Sequence, residues 1–554
     1  AGTNITYKIL FNDAVAMTGG QTNEGDLSPQ RIAREVLAMG VKKVVVVFDP
    51  KEKVNWAAFP AGIEKAPRDD LMPVQERLRK ISGVTAMIYI QTCAAEKRRR
   101  RKRGEFPDPD RRVFINTDVC EGCGDCGVQS NCVSIVPVET ELGRKRAIDQ
   151  SSCNKDFSCL KGFCPSFVTL EGAKPKKAAT AAIDLPDMPA PALPAIAGTW
   201  NVIITGVGGT GVVTVGAILA MAAHLDGKGA GMMEMAGLAQ KGGAVHIHCR
   251  LAEKPADISA IRVATGEADA VIGGDLVVTA GAKTIGLMTT GRTGAVVNSH
   301  EIVTGEFTRN TEFRLPGERL SLALQARLKD RLALFDASEL ARVTLGDSIY
   351  SNMMVFGAAW QKGLIPLSHA AIHRAIELNK AAVEANKRAF EIGRWAALHP
   401  DAVAALIAPK VVALPKSLDE IIAFRERHLT AYQDAAYAAR YRKLVDSVTD
   451  PRLKEAVAKG YHKLLAYKDE YEVARLHLQT MEKARAEFDG ALKPTFWLAP
   501  PMLPGKDAAG RPKKREFGPW MLRAFGVLAR FKHLRGTAWD PFARNPERKM
   551  ERAL

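Results

Sequence analysis

NVIITGVGGTGVVTVG, residues 201–216, is the stretch from which the fold is read. Val202 to Thr205 are apolar and β-branched, as in a buried parallel strand. A glycine loop follows, then the apolar run Val212 to Ala223, which ends at His224 and Asp226 and reads as a buried helix. Strand, glycine turn and helix in that order form the unit of an α/β domain, and the turn sets backbone N–H groups at a helix N-terminus, where a pyrophosphate is cradled. Gly206, Gly208, Gly209 and Gly211 fit this pattern. The acidic ribose-binding partner expected about twenty residues later does not, because Glu234 comes too late and falls in a Gly/Met-rich turn. A nicotinamide site is therefore the weaker reading. A second turn, Gly237 to Gly243 with Lys241, offers N–H groups and one cation to a phosphate or carboxylate, or is a tight loop between strands.

Upstream, residues 172–199 alternate Ala and Pro (KPKKAATAA, then LPDMPAPALPA), a semi-extended spacer that packs no core. Before it the hydrophobic periodicity gives way to cysteines. Eight of the nine lie between Cys93 and Cys164. Clustering of this kind in a long chain without a secretion signal argues for metal ligation in a reducing compartment rather than for disulfides. Cys120, Cys123 and Cys126 are separated by two-residue gaps; Cys132, Cys153 and Cys159 follow, then Cys164-Pro165. This is close to the ferredoxin run C-x2-C-x2-C-x3-C-P, whose fourth cysteine serves the other cluster. By that analogy Cys120, Cys123, Cys126 and Cys164 hold one 4Fe–4S cluster. Cys132, Cys153 and Cys159 hold part of a second, leaving it one thiolate short: a three-iron cluster, a non-cysteine ligand or no cluster at all. Structural zinc is the competing reading, but it pairs two C-x2-C units rather than running three cysteines at that period. Cys93 and Cys249 sit alone in apolar segments and read as core.

Toward the amino terminus, Val41 to Phe48 and Val84 to Thr92 read as strands, with a helix near Leu71 to Ile81 between them. Ile5 to Gln21 is a strand running into a glycine turn. Asn12 directly after it is a turn former, or a side-chain oxygen for a hard cation such as Mg²⁺. Beyond about residue 400 the chain is Ala-, Arg- and Lys-rich, with amphipathic stretches over Leu418 to Val445 and Pro451 to Leu492. The fold class expected is multidomain α/β. The domains are 1–95, the end of an α/β domain; 96–171, the cysteine module; 172–199, the linker; 200–400, the glycine-loop domain; and 401–554, helical and basic.

The formal charge of +17 is concentrated in Lys97 to Arg103 and in Gly505 to Leu554, where thirteen Lys/Arg meet five Asp/Glu. Such blocks suit an acidic partner or are a solvated surface. Few aromatic residues are interleaved and no recognition module is visible, so no nucleic-acid partner is expected. No run approaches the roughly 20 apolar residues of a membrane span, and no signal peptide is read. Opening at Ala1-Gly2-Thr3, the chain is expected to be a fragment or a processed form.

The motifs VCEGCGDCGVQSNC (119–132) and SSCNKDFSCLKGFCPSF (151–167) resemble those of fused indolepyruvate ferredoxin oxidoreductases, of the 2-oxoacid:ferredoxin oxidoreductase family. Residues 5–21 look like the second half of that family's thiamine diphosphate signature, whose opening Gly-Asp-Gly this chain does not contain. The resemblance implies Asn12 and the Ala14 carbonyl as Mg²⁺ ligands, with Thr18, Gly19, Gly20 and Gln21 beside the cofactor. The glycine turns at 206–211 and 237–243 and a helix over Ala375 to Phe390 resemble the family's gamma-type domain, which is Rossmann-like and not a nicotinamide site. The implied reaction is oxidative decarboxylation of an aryl 2-oxoacid to its acyl-CoA. Electrons pass through 4Fe–4S clusters to ferredoxin, for which Lys97 to Arg103 is a candidate dock, and a cytoplasmic homodimer is implied. The alternative is a nicotinamide-linked iron–sulfur reductase using the GVGGTG loop. Catalytic side chains are not identified.

Overall fold

Four short parallel strands build the first sheet of the computed structural model. The structure describes residues 2–12, 25, 27–176, 183–208, 211–236, 243–301, 310, 313, 316–408, 417–500, 503, 505–506, 510–543 and 549–550. The chain divides into two compact units, Ala1–Asp108 with Ala236–Ala244, and Pro109–Met235 with Val245–Leu554. The fold is mixed α/β.

The first unit contains β1 (Ile5–Phe11), α1 (Pro29–Ala38), β2 (Lys43–Phe48), β3 (Glu64–Pro67), α2 (Leu71–Leu78), β4 (Val84–Ile90) and α3 (Ala94–Lys102). The sheet order is β1-β4-β2-β3, parallel throughout. The unbroken valines of β2 have a direct cause. Val44 and Val46 join Ile32 and Ala33 of α1 in one core, while Val45 and Val47 join Val74 and Leu78 of α2 in another, so both faces are covered. The basic run forms α3, and it is not a bare cationic surface. Glu96 is buried and pairs with Arg99 (3.2 Å), Arg100 (3.2 Å) and Arg103 (3.8 Å), and Lys97 pairs with Glu52 at 2.7 Å. These internal pairs leave a ferredoxin dock there with much less free charge than the sequence suggests.

In the second unit the cysteine module comes first: β5 (Arg111–Ile115), α4 (Asp125–Ser130), the antiparallel hairpin β6 (Ile135–Thr140) and β7 (Gly143–Ile148), then β8 (Phe167–Glu171) and β9 (Lys174–Pro175). The glycine-loop region follows, with β10 (Thr199–Val207), α5 (Val212–Leu225), β11 (Gly229–Ala236), β12 (Ala244–Ala252), β13 (Ala270–Gly273), α6 (Leu276–Thr279), α7 (Ala282–Ile285), β14 (Gly294–Asn298), α8 (Gly317–Leu328), β15 (Leu332–Phe335), α9 (Ala337–Leu345), α10 (Ser351–Gln361), α11 (His369–Leu378), α12 (Val383–Leu398) and α13 (Pro400–Ile407). Its sheet runs β11-β12-β10-β13-β14-β15, and the last four are parallel. Every residue of α10 is buried, and α12 lies against it. The continuous helix expected over Ala375 to Phe390 is instead two helices, broken where Lys380 and Ala382 take positive φ.

The carboxyl-terminal region is α14 (Leu418–Tyr432), α15 (Ala435–Asp446), α16 (Pro451–Leu465), α17 (Glu470–His477), α18 (Thr480–Glu487), β16 (Phe488–Asp489), β17 (Lys493–Leu498), β18 (Arg515–Phe517) and α19 (Met521–Arg530). The two long amphipathic stretches are cut by capping residues: Asp434 accepts from Tyr437 N and Asp469 from Glu472 N, so each starts a new helix. This region is not helical alone. β17 pairs with β8 and with β18, giving the antiparallel sheet β18-β17-β8-β5, and Phe496, Leu498 and Phe525 share a core with Phe114, Val168 and Leu170. The cysteine module therefore shares its main sheet with residues more than 300 positions away.

A candidate cysteine-ligated metal centre

The first cysteine loop leaves β5 through Asn116, a fully buried residue whose Nδ2 donates to Leu476 O (3.1 Å) and Thr480 Oγ1 (2.8 Å) and whose carbonyl accepts from Cys120 N (3.0 Å). The loop is thus hung from the carboxyl-terminal helices. Asn116→Ala removes both of these buried hydrogen bonds and is expected to cost about 1–3 kcal/mol. The check is urea unfolding followed at the cysteine module, where an unchanged midpoint would contradict this account of the anchor.

The thiols fall into two groups. Cys120 and Cys164 are hydrogen-bonded to each other, and the Cys164 charge acts on Cys123 and Cys126. Cys132 acts by charge on Cys153 and Cys159, and the Cys126 charge acts on Cys159 as well. Burial pushes the Cys126 thiol up to about 11 and raises Cys123, Cys153 and Cys159 as well. Cys164 differs: its hydrogen bond from Cys120 brings it down to about 6, with Ser166 Oγ 3.0 Å away. Buried neutral thiols oppose ionisation, so thiolate ligation here would be driven by the metal ion.

Among the described residues, the His/Cys/Asp/Glu trios whose ligating atoms all lie within 4.8 Å of one another include no set of cysteines. A tetrahedral zinc, with Zn–S of about 2.3 Å, requires its thiolates about 3.8 Å apart. The one trio that meets the limit is His369, His373 and Glu391. Glu391 Oε1 lies 2.6 Å from His369 Nε2 and 2.8 Å from His373 Nε2, while Arg394 Nη1 donates to Glu391 Oε2 at 2.7 Å and lies 3.3 Å from His369 Nε2. Burial raises the Glu391 carboxyl, but the two histidines and Arg394 hold it well below the carboxylate range. The guanidinium already supplies the counter-charge a cation would, so this trio reads as a structural cluster.

Cations surround the cysteine loops. Lys145 and Arg146 of β7 are buried. Lys468 Nζ donates to Cys120 O at 3.0 Å, and Lys514 Nζ donates to Gly162 O (2.6 Å), Cys164 O (3.0 Å) and Leu160 O (3.3 Å). Burial pulls Lys514 down to about 8, and the neighbouring thiolates pull it back up. Sequence reading missed Lys468 and Lys514 as part of this site. The basic surplus after Gly505 was a signal for Lys514 alone.

The remaining site residues are less connected. Asn12 follows the last residue of β1 and is half-buried; Ala14, Thr18, Gly19, Gly20 and Gln21 lie outside the described residues, as do Gly209 and the 237–242 turn. Gly206 ends in β10, Gly208 is in the turn, and Gly211 takes φ +87° ahead of α5. A Cβ on Gly211 would clash with Asn352 Nδ2, so a side chain of α10 lies against Gly211. Glu234 is in β11, not in a turn, and β12 separates β11 from β10. In the dinucleotide fingerprint the acidic residue follows the strand next to the glycine-loop strand. This topology does not favour the nicotinamide reading. Among the described residues, no helix is long and apolar enough to cross a membrane.

Residues 201–396 match the family model described as pyruvate ferredoxin/flavodoxin oxidoreductase, and residues 418–554 match one described as a family of unknown function (DUF6537). The first match makes residues 201–396 an oxidoreductase domain of that family. The chain is similar to the indolepyruvate oxidoreductase subunit IorB of Pyrococcus horikoshii, 27% identical over 202 residues, which are 36% of this chain and 96% of that one. The same subunit of Thermococcus kodakarensis is 26% identical with the same coverage. A solved keto/oxoacid ferredoxin oxidoreductase gamma subunit from Geobacter sulfurreducens is 23% identical, with 36% of this chain and 98% of that chain covered and a TM-score of 0.26.

Proposed function

We propose that the protein takes part in oxidative decarboxylation of an aryl 2-oxoacid to its acyl-CoA, passing electrons through 4Fe–4S clusters to ferredoxin. The carrying observation is two groups of thiols set among buried cations, with no three cysteines among the described residues within 4.8 Å of one another. Cys120, Cys123, Cys126 and Cys164 would hold one cluster, and Cys132, Cys153 and Cys159 most of a second. Lys145, Arg146, Lys468 and Lys514 would offset the negative charge of thiolate-ligated iron and sulfide. They favour the reduced form, and Lys468 and Lys514 tie the ligand loops through their carbonyls. The aryl 2-oxoacid is inferred from the names of the archaeal relatives.

Asn12, at the carboxyl end of a parallel strand where such sheets bind ligands, would hold Mg²⁺ with the Ala14 carbonyl, and Thr18 to Gln21 would line the cofactor. Thiamine diphosphate, when bound, supplies the carbanion chemistry. Two electrons then leave per turnover, one at a time, and the residue that departs is carbon dioxide. Residues 1–95 would end the thiamine domain, 96–171 form a ferredoxin-like electron-transfer module, 172–199 link it, 200–400 form a Rossmann-like gamma domain with Gly206 to Gly211 near the active site, and 401–554 brace the module. A cytoplasmic homodimer fits this reading.

The test is electron delivery. Protein reconstituted with iron and sulfide under argon is reduced with dithionite and freed of excess. Addition of oxidised ferredoxin is expected to restore the colour of the oxidised clusters within seconds to minutes, whereas NAD⁺ leaves them reduced. Reoxidation by NAD⁺ and not by ferredoxin would overturn the proposal in favour of a nicotinamide-linked reductase.

A further inference from the structure

Cys132, Cys153 and Cys159 supply one protein ligand fewer than a four-iron cluster takes. The two cysteine loops are nevertheless built on one plan. From Cys120, the residues two and four places on, Gly122 and Gly124, have φ of +73° and +78°; from Cys153, the residues two and four places on, Lys155 and Phe157, have φ of +50° and +64°. Glycine adopts that region freely, whereas lysine and phenylalanine do so when the surroundings impose it.

The hydrogen bonds repeat as well. Gly122 N donates to Cys120 Sγ at 3.3 Å, and Lys155 N donates to the Cys153 sulfur. Asp125 N donates to the Cys123 sulfur, and Ser158 N donates to Asp156 Oδ1 at 3.2 Å. The third positions, Cys126 and Cys159, are both buried, and the middle positions, Cys123 and Asp156, are both exposed. Asp156 stands three residues after Cys153 and three before Cys159, the spacing of Cys123 between Cys120 and Cys126. Its charge is felt at both Cys153 and Cys159.

We propose that Asp156 is the fourth protein ligand of the second cluster, its carboxylate holding the iron that the middle cysteine holds in the first. This deepens the iron–sulfur reading above and rests on it. Ser158, whose Oγ is 2.8 Å from Asp156 Oδ2, orients the carboxylate. A carboxylate oxygen is a harder and weaker partner for iron in a sulfide cluster than a thiolate is, so that one iron is the labile one. Ferricyanide, taking one electron from the four-iron cluster, releases this iron as Fe²⁺ and leaves an oxidised three-iron cluster; the Asp156–iron bond and the iron's bonds to sulfide break, and no cysteine bond does.

The experiment uses the full chain, reconstituted anaerobically, as wild type, Asp156→Cys and Asp156→Ala. Iron and sulfide are counted, EPR spectra are taken before and after one equivalent of ferricyanide, and released Fe²⁺ is trapped by a chelator. Wild type is expected to lose one iron per chain and to gain the near-isotropic signal of an oxidised three-iron cluster. Asp156→Cys is expected to lose none, and Asp156→Ala to hold one iron fewer from the start, as a reduced three-iron cluster that one equivalent of ferricyanide oxidises to the same signal without further iron release. The wild-type release requires no variant to fold. The proposal is overturned if wild type and Asp156→Cys retain iron equally, or if Asp156→Ala binds as much iron as wild type and releases it alike. A chain that binds no iron or sulfide in any form refutes the parent reading instead, and is told apart by the absence of the first cluster's signal too.

Discussion

Gly393→Ala is expected to destabilise the oxidoreductase region by about 3 kcal/mol or more, the upper end of what overpacking costs. A Cβ at Gly393 would stand 2.0 Å from Met354 O and 2.7 Å from Met354 C, and the reciprocal position Gly357 would place one 2.0 Å from Phe390 O. These are backbone atoms of two facing helices, α10 and α12, and no rotamer change relieves the clash. The helices must move apart. Doing so opens the packing of Phe356 on Phe390, 5.5 Å between ring centroids, and of Trp360 beside them, at the centre of the largest core. For a region of this size each kcal/mol moves the midpoint by about 2–4 °C, so a fall of roughly 6–12 °C is expected in thermal unfolding followed by circular dichroism. A midpoint within a degree or two of wild type would mean that the helices are not in backbone contact.

Lys514→Met carries the second large effect, because the lysine does two things at once. Its ammonium is the donor for three carbonyls of the loop that carries Cys164, and it brings a positive charge beside that loop's thiolates. Methionine keeps most of the apolar stem over Phe167, where Nζ lies 5.2 Å from the ring centroid, and removes the donor and the charge. Leaving the carbonyls buried without their donor costs about 1–3 kcal/mol for a neutral acceptor and more where a charge was the donor. A unit charge roughly 10 Å away through an effective dielectric of about 20 is worth about 1.7 kcal/mol, on the order of 70 mV for one electron. The midpoint potential of the first cluster is therefore expected to fall by that order, since loss of a cation favours the oxidised form. Potentiometric EPR titration reads it, with Lys513→Met as a nearby control. An unshifted potential in Lys514→Met, with the cluster intact, would contradict the electrostatic role of the carboxyl-terminal region.

Some of this architecture was legible and some was not, for physical reasons. Val44 to Val47 and Ala86 to Ile88 announce buried parallel strands because helices cover both their faces. The cysteine spacing announces two thiol groups because short gaps return side chains to one place. The break between α11 and α12 gives no such warning. Lys380 and Ala382 adopt the left-handed region although neither is glycine, and no proline marks the position. The pairing of β17 with β8 is likewise unreadable from local pattern. Six residues after three helices carry a faint alternation, and their partner lies over 300 residues upstream. The arginine-rich α3 misleads in the opposite sense, since composition records its charge while Glu52 and Glu96, which neutralise part of it, are ordinary acidic residues until the fold brings them near. Lys468 and Lys514 were hidden among twenty-seven other Lys and Arg of residues 401–554, and only the structure shows that they reach the cysteine loops.

The central claim is that the cysteines from Cys120 to Cys164 collect iron and inorganic sulfide. Anaerobic quantification of iron, sulfide and zinc on the full chain, with EPR of the dithionite-reduced protein, tests it most directly. The account predicts a brown protein with iron and sulfide in near-equal amount and the signal of a reduced cubane cluster. A colourless protein whose thiols remain free, or one that binds zinc in place of iron, would contradict it.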